Sequence, residues 1–176
     1  LNLACRRGYV DIVKLLIKKN ADLNIKDCWG ETPLYLACEN KRFGIVKLLI
    51  QNKCDVNIKD CYSKNTPLHV ACKKGYFSIV KLLIENGAYI NAENYYAKNT
   101  PLHIACLNGY FNIVKLLIEY KADLNIKNVW EETPLHIACR RGYLNIVNLL
   151  IEKNAKLDSR NRYKETPLHL ACSIGD

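Results

Sequence analysis

The sequence predicts an all-α repeat protein in which antiparallel helix pairs stack side by side and loops project between the pairs. A seven-residue stretch, Thr66 to Cys72, has near-copies beginning at Thr32, Thr100, Thr133 and Thr166, at steps of 34, 34, 33 and 33 residues. A fixed period in this range is typical of stacked repeats. The predicted helices are also too short to be stable alone, so neighbouring units must supply the core.

The period divides the chain into consecutive units. The complete units are 27–59, 60–93, 94–127 and 128–160, with partial units at 1–26 and 161–176. No change in composition separates them, and we therefore expect one continuous array over residues 1–176. Because the sequence starts partway through a unit and ends within another, we expect a fragment of a longer array.

The first helix of each unit follows from the repeated stretch itself. Thr66 is a favourable N-cap, and Pro67 suits the first helical position, where its missing N–H is not needed. Leu68, Ala71 and Cys72 share one helical face, since they lie at i, i+3 and i+4. We expect this helix to bury that face and to end before glycine.

A second helix should follow almost at once. Polar residues that favour N-cap positions precede its apolar run in four units, and glycine does so in the fifth: Asp11, Ser78, Asn112, Asn145 and Gly44. The run Ile79–Ile84 gives an apolar face wide enough to be covered on more than one side. An extended segment such as 22–26 and a turn such as 27–30 then complete a hairpin loop.

Units of this kind, beginning with Thr-Pro-Leu-His-x-Ala, resemble ankyrin repeats over all 176 residues. The resemblance implies an ankyrin-type solenoid of antiparallel helix pairs with projecting β-hairpin loops. It also implies that the repeated histidine hydrogen-bonds near the Thr-Pro turn. One unit departs from the pattern: Tyr35 replaces the histidine, and Lys41-Arg42 replace the pair that is Gly75-Tyr76 in the next unit.

Six of the nine cysteines fall at one repeat position: Cys5, Cys38, Cys72, Cys106, Cys139 and Cys172. Neighbouring copies should lie about 8–10 Å apart, whereas a disulfide needs Cα atoms within about 7 Å. We therefore expect free thiols that pack as small apolar groups. Reduced thiols in this number predict an intracellular, cytoplasmic location. The apolar runs are much shorter than the roughly 18 residues of a membrane span.

The residues do not predict catalysis, a cofactor or a metal site. Each of the four histidines has a cysteine three residues later, as in His69 and Cys72, but the repeat spreads these pairs along the stack instead of converging four ligands. A catalytic site needs different residues in one place, whereas each distinctive residue here recurs in unit after unit. We therefore predict a protein that is not an enzyme.

Two sets of residues are candidates for binding a partner. Every predicted loop tip is aromatic: Trp29, Tyr62, Tyr96, Trp130 and Tyr163. Aromatic side chains are enriched at binding hot spots, although each ring could instead lie against the next loop and seal the stack. The second set consists of dibasic pairs at the end of first helices: Arg6-Arg7, Lys73-Lys74 and Arg140-Arg141.

In ankyrin arrays the hairpin tips and first helices line a concave groove, and the resemblance implies the same here. Lys and Arg total 26 against 17 Asp and Glu, a formal charge of +9, which fits either a lysine-rich solvated surface or an acidic partner. We expect a non-catalytic protein–protein interaction scaffold whose groove binds an acidic or mixed-charge segment. The alternative is an anionic polymer or surface, either nucleic acid or anionic lipid.

Overall fold

The computed structural model describes residues 1–173, so the last three residues of the partial unit 161–176 lie outside the described part. Residues 1–173 contain helices and no strands. The eleven helices are α1 Asn2–Arg7, α2 Val10–Lys18, α3 Pro33–Glu39, α4 Phe43–Gln51, α5 Pro67–Lys74, α6 Phe77–Glu85, α7 Pro101–Leu107, α8 Phe111–Glu119, α9 Pro134–Arg140, α10 Leu144–Glu152 and α11 Pro167–Ser173. The predicted helix pairs are thus confirmed. None of these helices is long and apolar enough to cross a bilayer.

The chain divides into two compact units, residues 1–89 and the residues from 90 onward. In the first compact unit α1 packs on α3 and α3 on α5, while α2 packs on α4 and α4 on α6. In the second, α7 packs on α9 and α9 on α11, with α8 on α10. Each compact unit is therefore built from a layer of first helices and a layer of second helices. A single array over residues 1–176 stays a prediction.

The first helices that carry the Thr-Pro pair start where the sequence pattern predicts. Thr66 is the N-cap of α5, with φ −84°, and Pro67 follows in the first turn. The Thr66 side chain accepts a hydrogen bond from the backbone N–H of His69, which satisfies one of the donors that a helix start leaves without a partner. Leu68, Ala71 and Cys72 are fully buried, so the predicted apolar face forms the core.

The predicted N-caps of the second helices were wrong. The N-cap of α6 is Tyr76, two residues before Ser78, and its side chain makes no capping hydrogen bond. Backbone geometry sets this start, since Gly75 has φ 74° and the Tyr76 N–H bonds the carbonyl of Ala71 at 3.0 Å. The Tyr76 carbonyl then accepts from Val80 and opens the helix. Asp11, Gly44, Asn112 and Asn145 likewise lie inside their helices.

The loops between helix pairs reverse direction through turns. In the loop before α3, the Gly30 N–H bonds the Asp27 carbonyl at 2.9 Å. Asparagine side chains link neighbouring loops: Asn24 Oδ1 accepts from the N–H of Asp55 at 2.8 Å, and Asn125 Oδ1 does so from Lys156 at 2.9 Å. These bonds hold successive loops of one compact unit in register.

Candidate binding surfaces

The five aromatic tips all lie on loops and keep a large part of their surface exposed. Their exposed fractions run from 43% for Trp130 to 72% for Tyr163. Each of these two residues is the third residue of a four-residue turn whose first residue, Asn128 or Asn161, is almost fully buried. The predicted tip positions therefore carry exposed rings, and in these two loops the turn begins at a buried residue.

A side-chain oxygen at the start of the turn holds the tip backbone in the loops of Trp29, Tyr62, Trp130 and Tyr163. Asn128 Oδ1 accepts hydrogen bonds from the N–H groups of Trp130 at 2.9 Å and Glu132 at 3.0 Å. Asp27 makes the same pair of bonds with Trp29 and Glu31. An Asp or Asn side chain that bonds the backbone two residues later stabilises a turn. The recurrence of Asp or Asn at the first position of each unit was a sequence signal for these anchors that we did not use.

Successive tips are joined through their main chains. The Trp29 carbonyl accepts from the N–H of Cys61 at 3.0 Å, and the Trp130 carbonyl accepts from Arg162 at 3.0 Å. Gly30, with φ +76°, lies so close to Cys61 that an added Cβ would be 2.3 Å from its Sγ. Only glycine fits this junction. Main-chain bonds and close backbone packing thus join the loops, while the aromatic rings stay largely outside.

Within the described residues, one arginine in each of two dibasic sequences forms an ion pair, and the remaining cations are exposed. The Arg6 guanidinium lies 3.1 Å from the carboxylate of Glu31 and 3.8 Å from that of Asp27. Arg140 forms two hydrogen bonds with the buried carboxylate of Glu132. Among the ion pairs within residues 1–173, none involves the four exposed cations Arg7, Lys73, Lys74 and Arg141.

The surface beside Arg6 is of mixed charge. Burial raises the pKa of Glu31, the charges of Glu39 and Asp27 raise it further, and Arg6 lowers it. The partly exposed Glu39 stands where the neighbouring units carry Arg6 and Lys73. The structure therefore brings Arg6 and Arg140 to carboxylates, which the sequence reasoning missed because pairing between a helix end and a loop has no fixed spacing.

The repeated histidines are part of the fold. His103 Nδ1 accepts a hydrogen bond from the N–H of Thr100 at 3.2 Å, and its Nε2 lies 3.1 Å from the carbonyl oxygen of Glu132. Nδ1 therefore carries no proton and Nε2 donates. Burial lowers the pKa of His103 to about 4. The hydrogen bond near the Thr-Pro turn that the resemblance implied is confirmed.

No group of three His, Cys, Asp or Glu side chains within the described residues could hold a metal ion. Cys172 is exposed, contrary to the prediction for that position, whereas the other five cysteines at the repeat position pack into the core. Of these five, Cys38, Cys72 and Cys106 are fully buried. Burial raises the pKa of each of these thiols above its ordinary value. They therefore serve as small apolar groups, as the repeat position predicted.

Comparison with known proteins identifies the family. A family model described as ankyrin repeats (3 copies) matches residues 1–94, 60–128 and 121–176, which together span the chain. No curated protein matches the sequence. Ankyrin repeats are generally protein-interaction modules and are typically non-catalytic. From the repeat motif, the helix pairs and this match, we conclude that the chain belongs to the ankyrin-repeat family.

Proposed function

We propose that this chain is a non-catalytic scaffold that binds a segment of another protein. The aromatic tips Trp29, Tyr62, Tyr96, Trp130 and Tyr163 serve as anchors, and the basic ends of the first helices set the charge of the partner. The observation that carries the proposal is that every tip is aromatic and exposed. A buried packing role would explain aromatic residues at this position only if their rings were covered.

The anchoring of the tips supports this function. An aromatic ring offers a large contact area for a small loss of side-chain entropy. The turn that carries Trp130 is already fixed by two hydrogen bonds that the buried Asn128 Oδ1 accepts from backbone N–H groups. A binding surface that is ordered before the partner arrives loses less free energy on association. The tips are therefore suited to act as rigid hot spots.

The charges support an acidic or mixed-charge partner. Arg7, Lys73, Lys74 and Arg141 are exposed at first-helix ends, where they can pair with carboxylates of a bound segment. The nearby carboxylates of Glu31 and Glu39 favour a segment that also carries basic residues. Charges at an interface steer association and select the partner more than they add affinity.

We also propose an intracellular, cytoplasmic location. The support is the use of cysteine as a packing residue at the repeat position, because thiols remain reduced in that compartment.

The test is selection of binding sequences from a displayed library of random peptides, at near-physiological salt, followed by affinity measurements on the selected peptides. We expect selected peptides to be rich in Asp and Glu with interspersed apolar residues. The double variant Tyr96→Ala and Trp130→Ala should weaken binding by more than about 1 kcal/mol, roughly fivefold or more in Kd, with little change in Tm. Tyr89→Ala is the matched control, since Tyr89 and Tyr96 are both 67% exposed but Tyr89 is not at a tip.

Two results would contradict the proposal. If the double variant melts markedly earlier while binding is retained, the rings stabilise the fold and the site assignment is wrong. If instead single-stranded DNA binds more tightly than any selected peptide, with an affinity that falls steeply as salt rises, the ligand is an anionic polymer.

A further inference from the structure

The turn between α3 and α4 departs from its counterparts in sequence but keeps their backbone. Glycine holds this position in the other units, at Gly8, Gly75, Gly109 and Gly142, with φ from 70° to 88°. Lys41 stands there with φ 57°. The left-handed conformation is unfavourable for residues other than glycine, but lysine also adopts it at Lys53, Lys64, Lys98, Lys121 and Lys164. What distinguishes Lys41 is therefore its charged side chain at a position that is glycine in the neighbouring units. Arg42 similarly replaces the tyrosine that caps the second helix elsewhere.

The side chains of Arg42 and Lys41 contact the inter-helix turns of the two neighbouring units. Arg42 Nε donates a hydrogen bond to the carbonyl oxygen of Arg6 at 3.3 Å, and a Cβ added at Gly8 would lie only 3.0 Å from that nitrogen. In the other direction, the Lys41 ammonium lies 5.5 Å from the centre of the Tyr76 ring. Three successive turns are thereby joined into one surface, which we call the turn edge: residues 6–10, 41–43 and 73–77 of the first compact unit.

The turn edge is strongly basic. Its exposed cations are Arg7, Lys41, Arg42, Lys73 and Lys74, and over the equivalent five positions 6–10, 39–43 and 73–77 the acidic residue is Glu39 alone. The nearest carboxylates along the chain are Asp11, which pairs with Lys14 at 3.2 Å, and Glu39, which faces Glu31. In the second compact unit the turn 107–111 has no charged residue, whereas the turn 140–144 carries Arg140, which pairs with Glu132, and the exposed Arg141. Exposed cations in three successive turns are therefore a feature of the first compact unit and not a requirement of the repeat.

Apolar side chains accompany the charge. Val10, Phe43 and Phe77 are the first residues of their helices and remain 38%, 43% and 41% exposed. Phe43, Phe77 and Tyr76 line a depression of about 430 Å³ beside Lys41. Aromatic side chains are enriched at interaction hot spots, and the Lys41 ammonium beside them adds a charge that can select an acidic partner.

We propose that the turn edge binds an acidic segment of a partner protein that places an apolar side chain between Phe43 and Phe77. This rests on the proposed function and assigns the partner's acidic part to a surface at the opposite end of the first helices from the tips. A peptide can present an uncharged residue to the depression and carboxylates to the cations around it. A phosphate backbone offers charge alone, whereas a peptide also offers an apolar side chain for the depression lined by Phe43 and Phe77.

The test measures binding of a short fluorescein-labelled peptide of Glu and Asp with a central Leu-Phe pair, at near-physiological salt. The decisive variant is Lys41→Gly with Arg42→Tyr, which installs the pair found at Gly75-Tyr76. We expect binding to weaken by about tenfold or more while Tm stays equal or rises, because glycine relieves the strained backbone. Phe77→Ser in the protein, or Ser-Ser for Leu-Phe in the peptide, should each weaken binding.

The matched control is Lys18→Gln with Lys19→Gln, which removes the same charge from the exposed end of α2. If this control weakens binding as much as the turn-edge variant, long-range charge alone is responsible and the proposal is overturned. It is also overturned if the wild-type protein does not bind the peptide, or binds single-stranded oligo(dT) more tightly. If Trp29→Ala with Tyr62→Ala abolishes binding while the turn-edge variant does not, the turn edge is wrong and the proposed function stands.

Discussion

The guanidinium of Arg140 at the end of α9 makes two hydrogen bonds with the carboxylate of Glu132, one of them 2.9 Å long, and Glu132 is only 3% exposed. A paired arginine of this kind contributes to the fold before it contributes to any partner. The two residues of this dibasic sequence therefore differ in environment, because Arg141 is exposed and has no such pairing within the described residues.

Replacement of Arg140 with alanine should therefore destabilise the protein. The buried Glu132 carboxylate would lose its charged partner, which we expect to cost about 2 kcal/mol, less than for a fully buried pair because Arg140 is partly exposed. Urea denaturation measures the loss. Arg141→Ala is the control and should change stability by less than about 0.5 kcal/mol. Equal effects of the two substitutions would show that the pair with Glu132 is not stabilising.

Acidification should destabilise the fold through the repeated histidines. Burial lowers the pKa of His103 from 6.5 to about 4, and burial lowers that of His136 as well. Between these two pH values the unfolded chain binds protons that the folded chain does not, so stability is present above pH 6.5 and is lost as the pH falls toward 4. The shift at His103 corresponds to about 3 kcal/mol.

The measurement is the free energy of unfolding by urea at several pH values in this window. His103→Gln should make the decline between pH 6.5 and 4 shallower than in the wild-type protein, whatever its effect at pH 7. A variant with an unchanged pH dependence would show that His103 can be protonated in the folded state without cost.

Thiol labelling should separate exposed from buried cysteines. Cys28, Cys61 and Cys172 are exposed, and the other six are buried. Burial raises the pKa of Cys5 to about 11 and that of Cys54 to about 12, so little reactive thiolate forms there. We expect a chromogenic disulfide reagent to label three thiols rapidly in the native protein and all nine in urea. Cys28→Ser with Cys61→Ser should leave one fast thiol; more would contradict the buried packing role.

The first helices were predictable because their signals are local. Thr66 and Pro67 mark the helix start, and the spacing of Leu68, Ala71 and Cys72 marks the buried face, whatever surrounds them. The second-helix starts were not predictable from polar residues such as Ser78, since main-chain bonds in the preceding turn open those helices. A rule based on side-chain caps fails where the backbone closes the turn by itself.

The candidate site was predictable in position more than in environment. The repeat period places Trp130 at a loop tip, and the ring is exposed there. It gives no information on Arg140 and Glu132, whose contact depends on how far a long side chain extends from a helix end to a loop. The left-handed φ of Lys41 is likewise evident only in the structure, because the sequence shows the replacement of glycine but not the backbone that lysine adopts there.

The two tryptophans allow a test of whether the repeats unfold as one array. Trp29 lies in the first compact unit and Trp130 in the second, so Trp130→Phe and Trp29→Phe each leave one local fluorescence reporter. Because the 33–34-residue period continues without interruption through residues 89 and 90, we expect both reporters and the far-ultraviolet circular dichroism to give the same urea midpoint. Coincident transitions are the signature of cooperative unfolding, and coupling between neighbouring repeats is what produces it in repeat proteins. Two separate midpoints would mean that the chain consists of two independently unfolding blocks, and a binding surface would then have to be assigned within each block separately.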